Sequence, residues 1–168
     1  MSMIANLLRV SDNELKSFLI DSALLEKRVY PDEINNDDKS CIDLDKSWDG
    51  IFYCLTGFGT SSIDKVAQPK SWIILGDHIV DENQDLGYGF ATYATPEEVK
   101  AINLFLQNIT ETNFTSGFNP QKMLDSELYP QIWDDDDAID YLIEYFNVMK
   151  DFYKSAADKD EAVITFFN

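Results

Sequence analysis

Read as apolar against polar positions, the chain divides into runs with two periods. Residues 2–10 set Ile4, Leu7, Leu8 and Val10 over a strand's length, and Ser11-Asp12-Asn13-Glu14 follows as a capping box. A strand therefore leads into a helix. Leu15, Phe18, Leu19, Leu24 and Leu25 carry that helix, which fades before Tyr30-Pro31 because the residue ahead of a proline avoids helical backbone. Residues 31–40 read as a solvated loop. In residues 41–57, CIDLDKSWDGIFYCLTG, a step of about 100° per residue puts Leu44, Trp48, Ile51, Phe52 and Leu55 on one stripe. Asp43 falls at the cap of this helix, Asp45 and Asp49 on its solvated flank, and Gly57 at its end.

The second half alternates in the same way. Residues 58–70 are rich in Gly, Ser and Thr and form a loop, and Trp72-Ile73-Ile74-Leu75-Gly76 reads as a short strand with a β-branched centre. Gly87 to Tyr93 alternates in the strand manner. Thr95-Pro96-Glu97-Glu98 opens a helix bearing Val99, Ile102, Phe105, Leu106 and Ile109, with a cap, a proline in the first turn and two acids that suit the dipole. Residues 110–118 read as a loop and Asn119-Pro120 as the start of a short helix. Ile139, Leu142, Ile143, Phe146, Met149, Phe152, Tyr153 and Ala156 then step by three and four through a long helix over 135–157. Ala162 to Phe167 is a continuous apolar run that suits an interior strand covered on both faces. The expectation is one α+β domain over residues 1–168, whose terminal strands lie in a mixed sheet packed against several helices, the long C-terminal helix among them.

Composition changes this picture in one respect. The 168 residues are 45% hydrophobic and 13% aromatic, which places the chain among folding rather than disordered sequences. Yet 31 Asp and Glu against 13 Lys and Arg leave a net charge of -18, spread along the whole chain. Such a field repels phosphate backbones and anionic lipid, so nucleic acid and membrane surfaces are disfavoured partners and a basic protein is a favoured one. The opening MSMIANLLRV lacks a basic leader and is broken by Asn6 and Arg9, and Cys41 and Cys54 lie without metal or disulfide spacing. Both facts lead to an expected cytoplasmic location with reduced thiols and no metal or other cofactor.

Candidate chemistry is sparse. Asp81-x-Asn83-x-Asp85-x-Gly87 has the alternate oxygens of a calcium loop, but Leu86 and Thr92 stand where that loop needs glycine and glutamate, so it reads as a polar turn. Asp134 to Asp137 read as a cap and dipole partner for the last helix. His78 is the single histidine, and the loop 57–64 offers hydroxyls without a nucleophile-elbow motif. Trp48, Trp72 and Trp133 serve either a cleft or the core, with Trp48 assigned to the core by its place in the stripe.

The opening strand, the stretch IDLDKSWDGIFYCLTG, the segment LGYGFATYATPEEVKAI, Tyr129-Pro130 followed by Trp133, and the closing AVITFFN together resemble the YfbM-like family of bacterial proteins, a domain-of-unknown-function family. The resemblance covers nearly the whole chain. It implies a small soluble α+β protein and brings no catalytic residue with it. Two functions remain as expectations. One is a non-enzymatic binding or regulatory role, with immunity-like neutralisation of a basic partner as its sharpest form. The other is a small-molecule enzyme whose pocket draws on Trp48, Thr56, Gly57, Ser61, His78 and Tyr88, between the 57–64 loop and the strand through Gly87 and Gly89.

Overall fold

A computed structural model of the chain describes residues 2–168. Strand β1 (Ala5–Val10) runs into Ser11, whose hydroxyl accepts from the Glu14 amide and so starts α1 (Asp12–Ile20). The expected single helix is two. Asp21 takes extended backbone and its carboxylate accepts from Ala23 N, so the chain turns before α2 (Ala23–Val29). Strand β2 (Cys41–Asp43), helix α3 (Trp48–Thr56), a short 3-10 turn (Thr60–Lys65), helix α4 (Trp72–Leu75), strand β3 (His78–Ile79) and strand β4 (Thr92–Ala94) come next. Helices α5 (Pro96–Gln107), α6 (Glu111–Ser116), α7 (Pro120–Asp125) and α8 (Ala138–Asp158) precede the final strand β5 (Ala162–Phe167).

The sheet has the order β2-β1-β5-β4-β3, which puts the last strand in the middle. Leu8 lies opposite Ile164 from one side and Tyr93 opposite Ile164 from the other. Every pairing is antiparallel, where a mixed sheet was expected, because β5 returns against β1 after the long helix α8. As expected, β5 is covered on both faces. Side chains alternate across it. Leu8, Val10, Ala162, Ile164 and Phe166 meet Leu15, Phe18 and Leu25 of α1 and α2, together with Val80, Leu86 and Ala91. Ala5, Leu7 and Val163 face the larger core under α3 to α8, which contains Trp48, Phe52, Trp133, Phe146 and Tyr153.

Five local expectations are corrected. Trp72-Ile73-Ile74-Leu75 is a helical turn, with Ile73 and Ile74 fully buried and their carbonyls accepting from the Tyr153 and Thr165 hydroxyls, both at 2.7 Å. Residues 87–91 are a turn rather than strand, since Asp85 Oδ1 accepts from the amides of Gly87 and Gly89, both at positive φ; only Thr92–Ala94 pairs. Residues 111–116 are helical because Thr110 and Asn113 form a reciprocal cap. Asp43 belongs to β2 rather than to a cap, and α3 starts only at Trp48. The capping carboxylate expected before α8 is also missing: the Asp137 side chain makes no cap hydrogen bond. No helix among the described residues is long and apolar enough to cross a membrane.

Candidate functional site

The stretch 41–57 is a structural joint. Trp48 lies in the core, with its indole nitrogen donating to Met3 O at 3.1 Å and its ring stacked on Tyr129 and edge-on to Phe167. Asp49, expected on a solvated flank, is 7% exposed. Its Oδ1 accepts from Thr60 N at 2.8 Å and Thr60 Oγ1 at 3.0 Å, and its Oδ2 accepts from Tyr129 N at 3.0 Å. One carboxylate thus ties α3 to the 3-10 turn and to the segment before Trp133. The Thr56 hydroxyl donates to Phe52 O and accepts from Phe58 N, and Gly57 caps α3 with φ 81°. Both serve the helix end. Ser61 is exposed on the 3-10 turn, and Tyr88 is a surface residue whose amide donates to Phe167 O.

Of these candidates His78 lines a cleft. That cleft, of about 400 Å³, runs along the sheet edge at β3 and is lined by Ile63, Asp64, Trp72, Asp77, His78 and Thr92 among others. It joins His78 to the end of the 57–64 loop, but neither Ser61 nor Tyr88 lines it. His78 is held on two sides. Its Nε2 is 2.9 Å from Glu98 Oε1, and its ring stacks on Tyr93 at 4.9 Å between centroids. Glu98 is itself fixed, because Oε2 accepts from Thr95 N at 2.8 Å in the capping box of α5. Asp77, beside His78, completes a group whose ligand-bearing atoms all lie within 4.8 Å of one another.

Glu98 was outside the sequence-based candidates although its capping role was legible. Its pairing with His78 depends on β3 lying against β4, a contact between Tyr93 and His78 that no local pattern carries.

A second feature lies where β2 meets the start of α8. Tyr141 OH donates to Asp45 Oδ2 at 2.9 Å and accepts from Lys46 N, and the Tyr145 ring sits edge-on to Tyr141 at 5.1 Å. Partial burial raises the Tyr145 hydroxyl pKa first, and the charges of Asp43, Asp45 and Glu144 raise it further. Those carboxylates therefore share one field. None of Asp43, Asp45, Asp137, Asp140 and Glu144 is in an ion pair among the described residues. Asp134 to Asp137, just before α8, are exposed.

The two thiols play no part in either feature. Burial pushes the Cys41 thiol up to about 11 and the Cys54 thiol to about 12, from an ordinary 9.0. The folded protein should therefore react with a thiol-specific disulfide reagent at neutral pH far more slowly than it does in denaturant; equal rates would contradict the burial. Because the unfolded thiols lose their protons near pH 9 and the folded ones do not, stability is complete below pH 9. It should then fall as pH rises from 9 towards 11 and 12, read from the denaturant midpoint.

The comparisons with known proteins agree with one another. The crystal structure of YfbM from Escherichia coli, a protein of unknown function, superposes with a TM-score of 0.73 at 16% identity, covering 98% of this chain and 99% of that one. The fold is therefore shared over its full length. In sequence, Protein YfbM of Escherichia coli strain K12 is 28% identical over 92 residues, 54% of this chain, and the match spans about half (52%) of that relative. The model of a family described as a domain of unknown function, DUF1877, matches residues 1–166, and the chain belongs to that family, as its likeness to YfbM indicated.

Proposed function

We propose that the protein is a non-enzymatic binding protein that receives a basic segment of a partner protein, in the manner of an immunity protein, on the face formed by β2 and the start of α8. The observation that carries this reading is the pair Tyr141 and Tyr145 set among Asp43, Asp45 and Glu144, with no ion-pair partner for any of these carboxylates among the described residues. Arginine suits such a surface, since its guanidinium lies flat on an aromatic ring while its donors reach carboxylates. The net charge of -18 would steer a basic partner in from a distance and set the association rate. Reduced, unreactive thiols suit the cytoplasm as the compartment where this happens.

The enzyme alternative loses support in its hydroxyls. The Thr60 hydroxyl donates to Asp49, and Ser61 does not line the cleft that holds His78.

A labelled arginine-rich peptide, titrated by fluorescence anisotropy, tests the proposal. The triple change Asp43→Asn, Asp45→Asn, Glu144→Gln should weaken binding about tenfold or more, at roughly 0.5–1 kcal/mol for each charge. Removing three exposed acids elsewhere, Glu26→Gln, Glu82→Gln and Glu111→Gln, alters the net charge equally and should weaken it less than threefold. Equal losses from the two sets would reduce the effect to net charge and refute the face. Tyr145→Leu should lower affinity by a further two- to fivefold, corresponding to about 0.5–1 kcal/mol for the lost ring.

A further inference from the structure

We propose that Asp77, His78 and Glu98 form a binding site for a divalent first-row transition ion, with zinc as the best-suited case, opening on the cleft beside β3. This goes beyond the proposed recognition of a basic segment and uses a different part of the surface.

The donor set is the first argument. One imidazole nitrogen with two carboxylates is a set that zinc accepts, whereas hard cations such as calcium ask for six or more oxygens. Spacing is the second. A tetrahedral ion held at about 2.0–2.2 Å from each ligand needs the ligand atoms roughly 3.3–3.6 Å apart. His78 Nε2 and Glu98 Oε1 stand 2.9 Å apart, so an adjustment of a few tenths of an ångström seats an ion between them. All three ligand atoms lie within 4.8 Å of one another, and the exposed Asp77 side chain is free to close the remaining distance by rotation.

Rigidity is the third argument. Metal sites depend on outer partners that fix their ligands. Here Thr95 N holds Glu98 Oε2 at 2.8 Å, which leaves Oε1 directed at His78, and the Tyr93 ring holds the imidazole plane at 27° to its own. Both holds come from the β4 strand and the α5 cap, so they do not depend on an ion.

The cleft supplies the fourth argument. Three protein ligands leave one tetrahedral position for an exchangeable group, and about 400 Å³ of open cleft adjoins it. Trp72 lines the same cleft, and its indole N–H is a buried donor with no acceptor among the described residues. Buried donors are rarely left unpaired in native structures, so this one calls for an acceptor. The simple alternative is a His78–Glu98 ion pair with no further role, and it leaves the Asp77 placement without an account.

The test is titration of the metal-free full chain with zinc chloride by calorimetry, in parallel with cobalt(II) followed by visible absorption. One equivalent per chain is expected, with the intense visible band of four-coordinate cobalt appearing in the same stoichiometry. His78→Ala should abolish the cobalt band and weaken zinc binding at least a hundredfold. Glu98→Gln retains an oxygen for Thr95 N and so keeps the α5 cap; it should weaken binding at least tenfold with an unchanged circular dichroism spectrum and melting temperature. Calcium in excess should not displace zinc. The proposal is overturned if no stoichiometric binding occurs, or if His78→Ala binds as the parent does. It is equally overturned if the site is lost in Cys41→Ser rather than in His78→Ala, since the thiol would then be the ligand.

Discussion

Asp49→Ala is expected to destabilise the protein by about 3–5 kcal/mol, the largest loss from any change of a polar side chain in the fold. The reason is what the carboxylate leaves behind. Thr60 N and Tyr129 N both donate to it, and the Thr60 hydroxyl joins them on the same oxygen. Truncation strands two backbone donors in a region where Asp49 itself is 7% exposed, and each stranded donor costs about 1–3 kcal/mol. The loss also releases the 3-10 turn that supplies Ile63 and Asp64 to one wall of the cleft. Asp49→Asn is the graded control. It keeps one oxygen and sets an amide against the other donor, so it should cost roughly half as much. Urea unfolding with an unchanged slope measures both, and a loss below 1 kcal/mol for Asp49→Ala would show that water replaces the carboxylate without penalty.

Gly117→Ala is expected to cost about 3 kcal/mol, or to prevent folding altogether, for a purely steric reason. Gly117 has φ -81°, an ordinary value for any residue, so backbone freedom is not what requires glycine there. The space does. A Cβ at this position would press on the Cys54 carbonyl, 2.9 Å from its carbon and 3.0 Å from Cys54 Cα. These atoms belong to the backbone of α3 and cannot rotate away, so α6 must lift off and with it Phe114, which stacks on Phe146 at 4.1 Å. Forced shifts of this kind cost about 1–3 kcal/mol and occasionally more. Gly57→Ala gives the opposite control: nothing lies within 4 Å of its added Cβ, but φ is 81°, so the penalty is confined to the left-handed backbone at about 1–2 kcal/mol. A ranking with Gly57→Ala the more damaging would refute the close approach of α6 to α3.

The split between what was readable and what was not follows particular residues. Thr95-Pro96 and Ser11 to Glu14 are helix starts in the sequence and in the structure, because a cap is made by groups three positions apart. The stripe of α8 is equally local and is buried as its spacing requires. Trp72 to Leu75 shows the limit. Four apolar residues suit a strand or a buried helical turn alike, and the choice is made by Tyr153 and Thr165, whose hydroxyls reach the carbonyls of Ile73 and Ile74 from about 80 and 91 positions away. Gly87 to Phe90 alternates in sequence like a strand, yet Asp85 gathers its amides into a turn.

The candidate sites divide in the same way. The acids before α8 were visible as a charge run, and the convergence of Asp43, Asp45 and Glu144 on two tyrosines was not, because it requires the segment after β2 to lie beside α8. His78 stood out as the single histidine, whereas Glu98 looked like an ordinary cap residue. Asp49 was placed on the solvated flank by helical spacing, and the turn at Thr60 and the backbone at Tyr129 close over it.

By itself, then, the sequence determined the α+β class, the family, the interior place of the final strand and the helices whose signals lie within one or two turns, since caps and apolar periods act over neighbouring residues. Only the tertiary structure decided that the sheet is antiparallel throughout, that Asp49 is a buried joint, and that Glu98 meets Asp77 and His78, which line a cleft. These outcomes depend on pairings and close approaches between elements that local sequence does not bring together, and such contacts leave no periodic trace along the chain.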